Sequence, residues 1–165
     1  MSDALTLANL EARTGVPMVR LRYIADSEIL PGNRVEKAAA PRRPGRGVAR
    51  LFLPSEAFGM VIAIQLLDAG IRRATVSRIM DILGTRPPGV RDFNEVPLLQ
   101  ALVHAEVQWL EIGDGVNIHM VCDPPRIRST LFQHWLQIDT GAKLSDYDPL
   151  VIVRINVRRL RELVR

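Results

Sequence analysis

Apolar residues in the first half of the chain recur mostly at three- and four-residue spacing, the period of a helix. Leu7 and Leu10 follow it in a segment from Leu5 to Arg13 that stops at Thr14-Gly15. Pro17 suits the first turn of a second helix, where its missing N–H would have no intrahelical partner. That helix is expected to run to about Asp26, with Met18, Leu21 and Ile24 inward and Arg20, Arg22 and Tyr23 among the outward positions. From Pro31 to Gly47 the chain turns to Pro, Gly, Ala and Arg, which predicts a loop or flexible hairpin. Val48 to Leu53 reads as a strand. Pro54-Ser55-Glu56 opens a helix that runs through Ala69 and is capped by Gly70, and another helix is expected from Arg72 to Leu83. Gly84 to Gly89, with Pro87-Pro88, ends the helical region. The expected domains are residues 1–86 and 87–165.

The second half is mixed. Val96 to Leu110 starts with a helical period and changes to a strand near Val107. Gly113-Asp114-Gly115 lies between Val107–Ile112 and Val116–Cys122 and predicts a hairpin, since Asp-Gly tolerates the positive φ of a tight turn. Asp123-Pro124-Pro125 stops the second strand, and residues 129–138 fit a helix or a strand equally. The β-branched run from Leu150 to Ile155 predicts a buried strand, after which Asn156 caps a last helix from Val157 to Val164.

Composition narrows the classes. With 165 residues, 47% hydrophobic and 24% charged, the chain has the balance of a globular protein rather than a disordered or fibrous one. The apolar run Met60–Leu67 already contains Gln65, well short of the ~18 residues of a membrane span, and Met1-Ser2-Asp3 does not open a positively charged signal peptide. The expectation is a cytoplasmic protein with no membrane partner. Cys122 is the only cysteine, which excludes an intrachain disulfide, a cysteine-rich zinc site and a four-thiolate cluster.

Charge is segregated. Residues 1–86 carry 13 Arg/Lys against 8 Asp/Glu, residues 87–148 carry 4 against 9, and residues 149–165 carry 5 against 1. A basic front, an acidic middle and a basic tail suggest a polyanion-binding face set apart from the rest. Twenty of the 22 basic residues are Arg, which favours bidentate phosphate and guanine contacts, although a GC-rich genome produces the same bias.

Catalytic chemistry finds little footing. His104 with Glu106, His119 with Cys122, and His134 are the only suggestive groupings, and a three-residue spacing on a strand sends His119 and Cys122 to opposite faces, a poor metal pair. No phosphate-binding loop, dinucleotide fingerprint or nucleophile elbow is present in the sequence. Trp109, Phe132, Trp135 and Ile138 suit a core better than a ligand pocket. No enzyme activity, catalytic residue, metal or cofactor is expected.

Two helices joined by a glycine turn form the helix-turn-helix pattern, whose second helix can enter a major groove. In this chain the pattern is part of an ordered set: Leu10, Arg13-Thr14-Gly15-Val16, Leu21-Arg22-Tyr23, Ile29-Leu30-Pro31, Arg50-Leu51-Phe52 and Ala69-Gly70-Ile71. This set resembles the DNA-binding domain of the MerR family of transcription regulators through residue 83, about half the chain. The resemblance implies a mainly α N-terminal winged helix-turn-helix, followed here by a small α+β domain. The helix from Pro17 would be the recognition helix, residues 31–52 the wing, and residues 54–83 a supporting helix pair. By position, Arg22, Tyr23 and Arg50 inherit contacts to the duplex, where guanidinium groups pair with phosphates or guanine edges and a tyrosine hydroxyl donates to a phosphate.

Four departures from the family pattern matter. Val19 stands where the family usually has an arginine, with Arg20 beside it, and Ile24 replaces the second aromatic. The wing is long, and its Arg42, Arg43 and Arg46 are candidates for a minor groove or phosphates, or else belong to a surface loop. Pro87-Pro88 interrupts the chain where the family continues into a long dimerising helix, and no heptad pattern follows. Dimerisation is therefore expected through residues 87–165, with Leu150–Ile155 pairing across a twofold axis. Arg154, Arg158, Arg159, Arg161 and Arg165 are expected on a solvated helix face, or otherwise against DNA or an acidic partner. The expected function is a bacterial or phage sequence-specific, double-stranded DNA-binding transcription regulator acting as a homodimer, with RNA polymerase or another protein as a further partner. The alternatives are a phage or mobile-element architectural factor, for recombination directionality or packaging, that bends or bridges DNA, and an adaptor whose helix-turn-helix binds protein.

Overall fold

The computed structural model describes residues 5–30, 50–84, 97–113, 117–122, 126–127 and 150–164. Among them, six helices and one antiparallel sheet make a mainly helical α+β protein. The chain divides into two compact units, one of Met1–Asp81 with Arg159–Arg165 and one of Ile82–Arg158.

Local signals place the first two helices. Helix α1 spans Leu7–Thr14 behind a capping box, in which Thr6 Oγ1 accepts from the Asn9 N–H at 3.1 Å and Asn9 Oδ1 accepts from the Thr6 N–H at 3.1 Å. It ends at Gly15, whose φ of +71° a side chain would oppose and whose N–H donates to the Glu11 carbonyl at 2.9 Å. Helix α2 spans Met18–Asp26 with Pro17 as its N-cap, so the helix begins just after the proline that the sequence places in its first turn. Leu21, Ile24 and Ala25 are buried and Met18 is half-buried.

The expected strand at Val48–Leu53 is, over residues 50–53, a single bridging residue. Phe52 and Leu5 exchange both backbone hydrogen bonds at 2.8 Å. A longer ladder has no room, because the α1 cap begins immediately after Leu5 and the next helix begins two residues after Phe52. That helix, α3 (Pro54–Asp68), has Pro54 in its first turn, while Glu56 Oε2 accepts from the Leu53 N–H at 2.7 Å. Nine of its residues are buried, so it is the central helix of its unit rather than an amphipathic surface helix. Its C-terminus closes by two bonds, from the Gly70 N–H to the Leu67 carbonyl and from the Ile71 N–H to the Leu66 carbonyl, at 3.0 and 3.1 Å. Helix α4 (Arg73–Gly84) buries Val76, Ile79, Met80 and Leu83, an i, i+3, i+4, i+7 stripe.

In the second unit, helix α5 (Pro97–Val103) leads through a turn at residues 104–106 into strand β1 (Val107–Gly113). The switch from helix to strand thus falls where the period changes. Strand β1 pairs antiparallel with β2 (Asn117–Cys122) on one side and with β4 (Ile152–Asn156) on the other, and β3 (Arg126–Ile127) extends the sheet beyond β2. Leu110, Ile112, Ile118 and Ile155 are buried.

The run from Leu150 to Ile155 is not the buried strand its composition suggests. Leu150, Val151 and Ile152 are 93, 58 and 49% exposed, and Ile155 is its buried member. Leu150 and Val151 precede β4, which is the last of the described strands in the sheet order, and within it Ile152 and Ile155 fall on opposite faces, so that only Ile155 is turned to the core. Helix α6 (Val157–Val164) also departs from expectation. Arg158 and Arg159 are exposed, but Arg161 is 5% exposed because it shares the i, i+3, i+4, i+7 face of Val157, Leu160 and Val164. Arg154 belongs to β4 rather than to a helix face, and Arg165 lies outside the described residues.

Candidate nucleic-acid interface

The outward side of α2 is assembled by contacts from three other segments of its unit. Pro17 has no side-chain cap to offer, and Glu11 of α1 takes that role, its Oε1 accepting from the Met18 N–H at 2.8 Å. The carboxylate also suits the positive end of the α2 dipole. At the far end, Ser27 Oγ donates to the Ile24 carbonyl at 2.9 Å and accepts from the Ile29 N–H at 3.3 Å, turning the chain into buried Ile29 and Leu30.

The resulting outward arc is Val19, Arg22, Tyr23 and Asp26, all exposed. Arg22 directs Nη2 towards Met18 Sδ, one turn earlier, at 3.8 Å. Sulfur is a weak acceptor, so this contact orients the guanidinium without consuming its donor capacity. Tyr23 is 48% exposed, and the Arg73 guanidinium of α4 lies over its ring, 5.6 Å from the centroid. Arg73 is exposed and falls on this surface through the fold alone; the sequence reading did not single it out. The visible signal was Arg72-Arg73 at the start of a predicted helix.

The other predicted residues are placed differently. Arg20 forms a bidentate ion pair with Asp68, the last residue of α3, with Nη1 to Oδ2 at 3.0 Å and Nη2 to Oδ1 as the second bond. Hydrogen bonding, reinforced by charge attraction, raises the Arg20 guanidinium above its ordinary pKa and holds the Asp68 carboxyl below its own. Arg50 is half-buried, donates from Nη1 to the Ala25 carbonyl at 3.3 Å and lies over the Phe52 ring at 4.9 Å. It ties the end of α2 to the segment before α3. Arg42, Arg43 and Arg46, with the expected wing through residue 49, lie outside the described residues.

The sheet of the second unit carries a polar cluster among the described residues. Arg154 and Glu111 are register partners of β4 and β1, and Arg154 Nε donates to Glu111 Oε1 at 2.7 Å while its guanidinium stacks over Trp109 at 5.4 Å. Glu111 is 8% exposed, so the pair neutralises a carboxylate largely withdrawn from water. Among the described residues no group of three or more His, Cys, Asp or Glu is placed to hold a metal ion, and no helix is long and apolar enough to cross a membrane. Phe132, His134, Trp135 and Ile138 lie outside the described residues. No protein-family model, curated protein or solved structure matches this chain.

Proposed function

We propose that the protein is a cytoplasmic transcription regulator that binds duplex DNA sequence-specifically as a homodimer, through a winged helix-turn-helix in its first unit. The observation that carries this reading is the outward arc of α2, where Arg22, Tyr23 and the neighbouring Arg73 present positive charge and a hydroxyl on a helix held at both ends. Such a helix meets a major groove with charge for phosphates and side chains for base edges. Support also comes from the ordered resemblance to the MerR DNA-binding domain and from the surplus of basic residues over 1–86. Arg20 and Arg50 act in this reading as positioning residues, because their guanidinium groups already bind Asp68 and the end of α2.

A single recognition helix covers only a few base pairs, so the site is read by two copies. Leu150 and Val151, just before β4, and Ile152, its first residue, are exposed apolar side chains that support dimerisation through residues 87–165. The test is retention of genomic DNA fragments by the purified protein at two salt concentrations, with Arg22→Ala in parallel. One enriched motif, weakened about tenfold or more by Arg22→Ala, is the expected result. Retention without a motif would replace the regulator by an architectural factor that bends or bridges DNA, and no retention at either salt would end the DNA-binding reading.

A further inference from the structure

Helix α2 sorts its side chains cleanly except at one position. Leu21 and Ile24 are fully buried, whereas Val19 is 76% exposed, more than any other large apolar side chain described in residues 5–81. At 100° per residue Val19 stands near the centre of the outward arc, one turn from Arg22 and Tyr23 and two turns from Asp26. A β-branched residue here is a poorer helix former than alanine and leaves most of its apolar surface in water. The position therefore serves neither the helix nor the core of the unit.

Duplex DNA offers Val19 a specific partner. The first turn of a recognition helix is the part that approaches base edges. Asp26 puts a negative charge at the other end of the arc, which keeps phosphates from that end and favours entry by the first turn. Valine has no donor or acceptor for the hydrogen-bonding edges of the bases. What the major groove presents to an apolar side chain is the C5 methyl of thymine. Arg22, exposed on the arc, and Arg73, over the Tyr23 ring, supply the cationic rim that holds the backbone while the centre of the arc meets the base.

We infer that Val19 is a specificity-determining residue that packs against the methyl group of a thymine in the bound site. The inference rests on the DNA-binding reading above, and its test separates the two. A motif is first selected from a randomised duplex library, and each thymine in it is then replaced by deoxyuridine, which removes the methyl and leaves the hydrogen-bonding edge unchanged. The wild-type protein is expected to lose affinity about fourfold at one thymine per half-site, the worth of one buried methyl. Val19→Ala is expected to bind the thymine duplex about as weakly as the wild type binds its uridine counterpart, and to lose discrimination at that position alone. Its melting temperature, matching the wild type, establishes that the fold is intact. A motif without any methyl-sensitive thymine, or discrimination that survives Val19→Ala, overturns the role of Val19 and leaves DNA binding standing. Failure to select any motif overturns both the role of Val19 and sequence-specific reading, and absence of any DNA retention overturns DNA binding as well.

Discussion

Arg20 on α2 and Asp68 at the end of α3 close a bidentate ion pair across 48 residues of sequence. Both side chains are about half exposed, at 41 and 47%, so the pair registers one helix against another more than it stabilises the fold. Breaking it with Asp68→Asn is expected to cost about 0.5 kcal/mol in chemical denaturation, with Arg20→Gln adding little in the double variant. Because the folded Asp68 titrates below its unfolded value, this contribution is complete above the ordinary aspartate range and disappears as pH falls through the depressed value. The raised Arg20 leaves it intact up to strongly alkaline pH. A double-mutant cycle with the same coupling at pH 7 and at pH 2 would refute this assignment.

Arg73 is expected to meet a phosphate beside Tyr23. Arg73→Gln should weaken binding to all duplexes alike and reduce the slope of log affinity against log salt by about 0.9 per protomer, or about 1.8 for the dimer. Fluorescence anisotropy titrations between low and moderate salt measure it. An unchanged slope, or a loss confined to one base sequence, would remove Arg73 from the backbone contacts.

Neighbouring positions on α2 should differ sharply in stability. Leu21→Ala, at a fully buried site, is expected to cost about 2–5 kcal/mol, while Val19→Ala should be neutral or slightly stabilising. Urea unfolding of the two variants decides this, and comparable losses would contradict the burial pattern of the helix.

Gly15 has open space around the position of a Cβ, so its φ of +71° alone sets the cost of a side chain. Gly15→Ala is expected to lower stability by about 1 kcal/mol, and Gly15→Asn by less, since asparagine tolerates the left-handed region. Thermal unfolding compares the two. A neutral alanine would mean that the turn between α1 and α2 relaxes freely.

The exposed apolar residues leading into β4 should govern assembly. Leu150→Asp and Ile152→Asp are expected to shift the dimer toward monomer by at least about tenfold in dissociation constant, as loss of a central apolar contact does. Sedimentation equilibrium reads the change, and circular dichroism checks the fold. Variants that assemble like the wild type would move the interface elsewhere.

Much of the helical framework was legible because its signals are local. Gly15, Pro54 and Gly70 act within one turn of the helix ends they define, and the expected limits of α1, α2, α3 and α4 fall within about two residues of those observed. The β1–β2 hairpin and the change of period before Val107 were visible for the same reason. Apolar spacing also named Leu21 and Ile24, both fully buried, and the half-buried Met18 as inward residues.

The partners of the arginines were not legible. Nothing near Arg20 announces Asp68, nothing near Arg73 announces Tyr23, and Arg50 reaches the Ala25 carbonyl only because the chain returns past the end of α2. The same limit explains β4 and α6, where composition suggested a buried run and a solvated arginine face: Leu150 and Val151 stay outside the strand, Ile152 falls on its exposed face, and Arg161 falls on the buried face of its helix. The sequence by itself determined the helices of the first unit and the β1–β2 pair, because their signals lie within a few residues of the elements they define, whereas the strand expected at Val48–Leu53 became a single bridge. Tertiary structure alone decided which guanidinium groups bind their own chain and which face outward from α2, because that depends on how segments tens of residues apart are brought together.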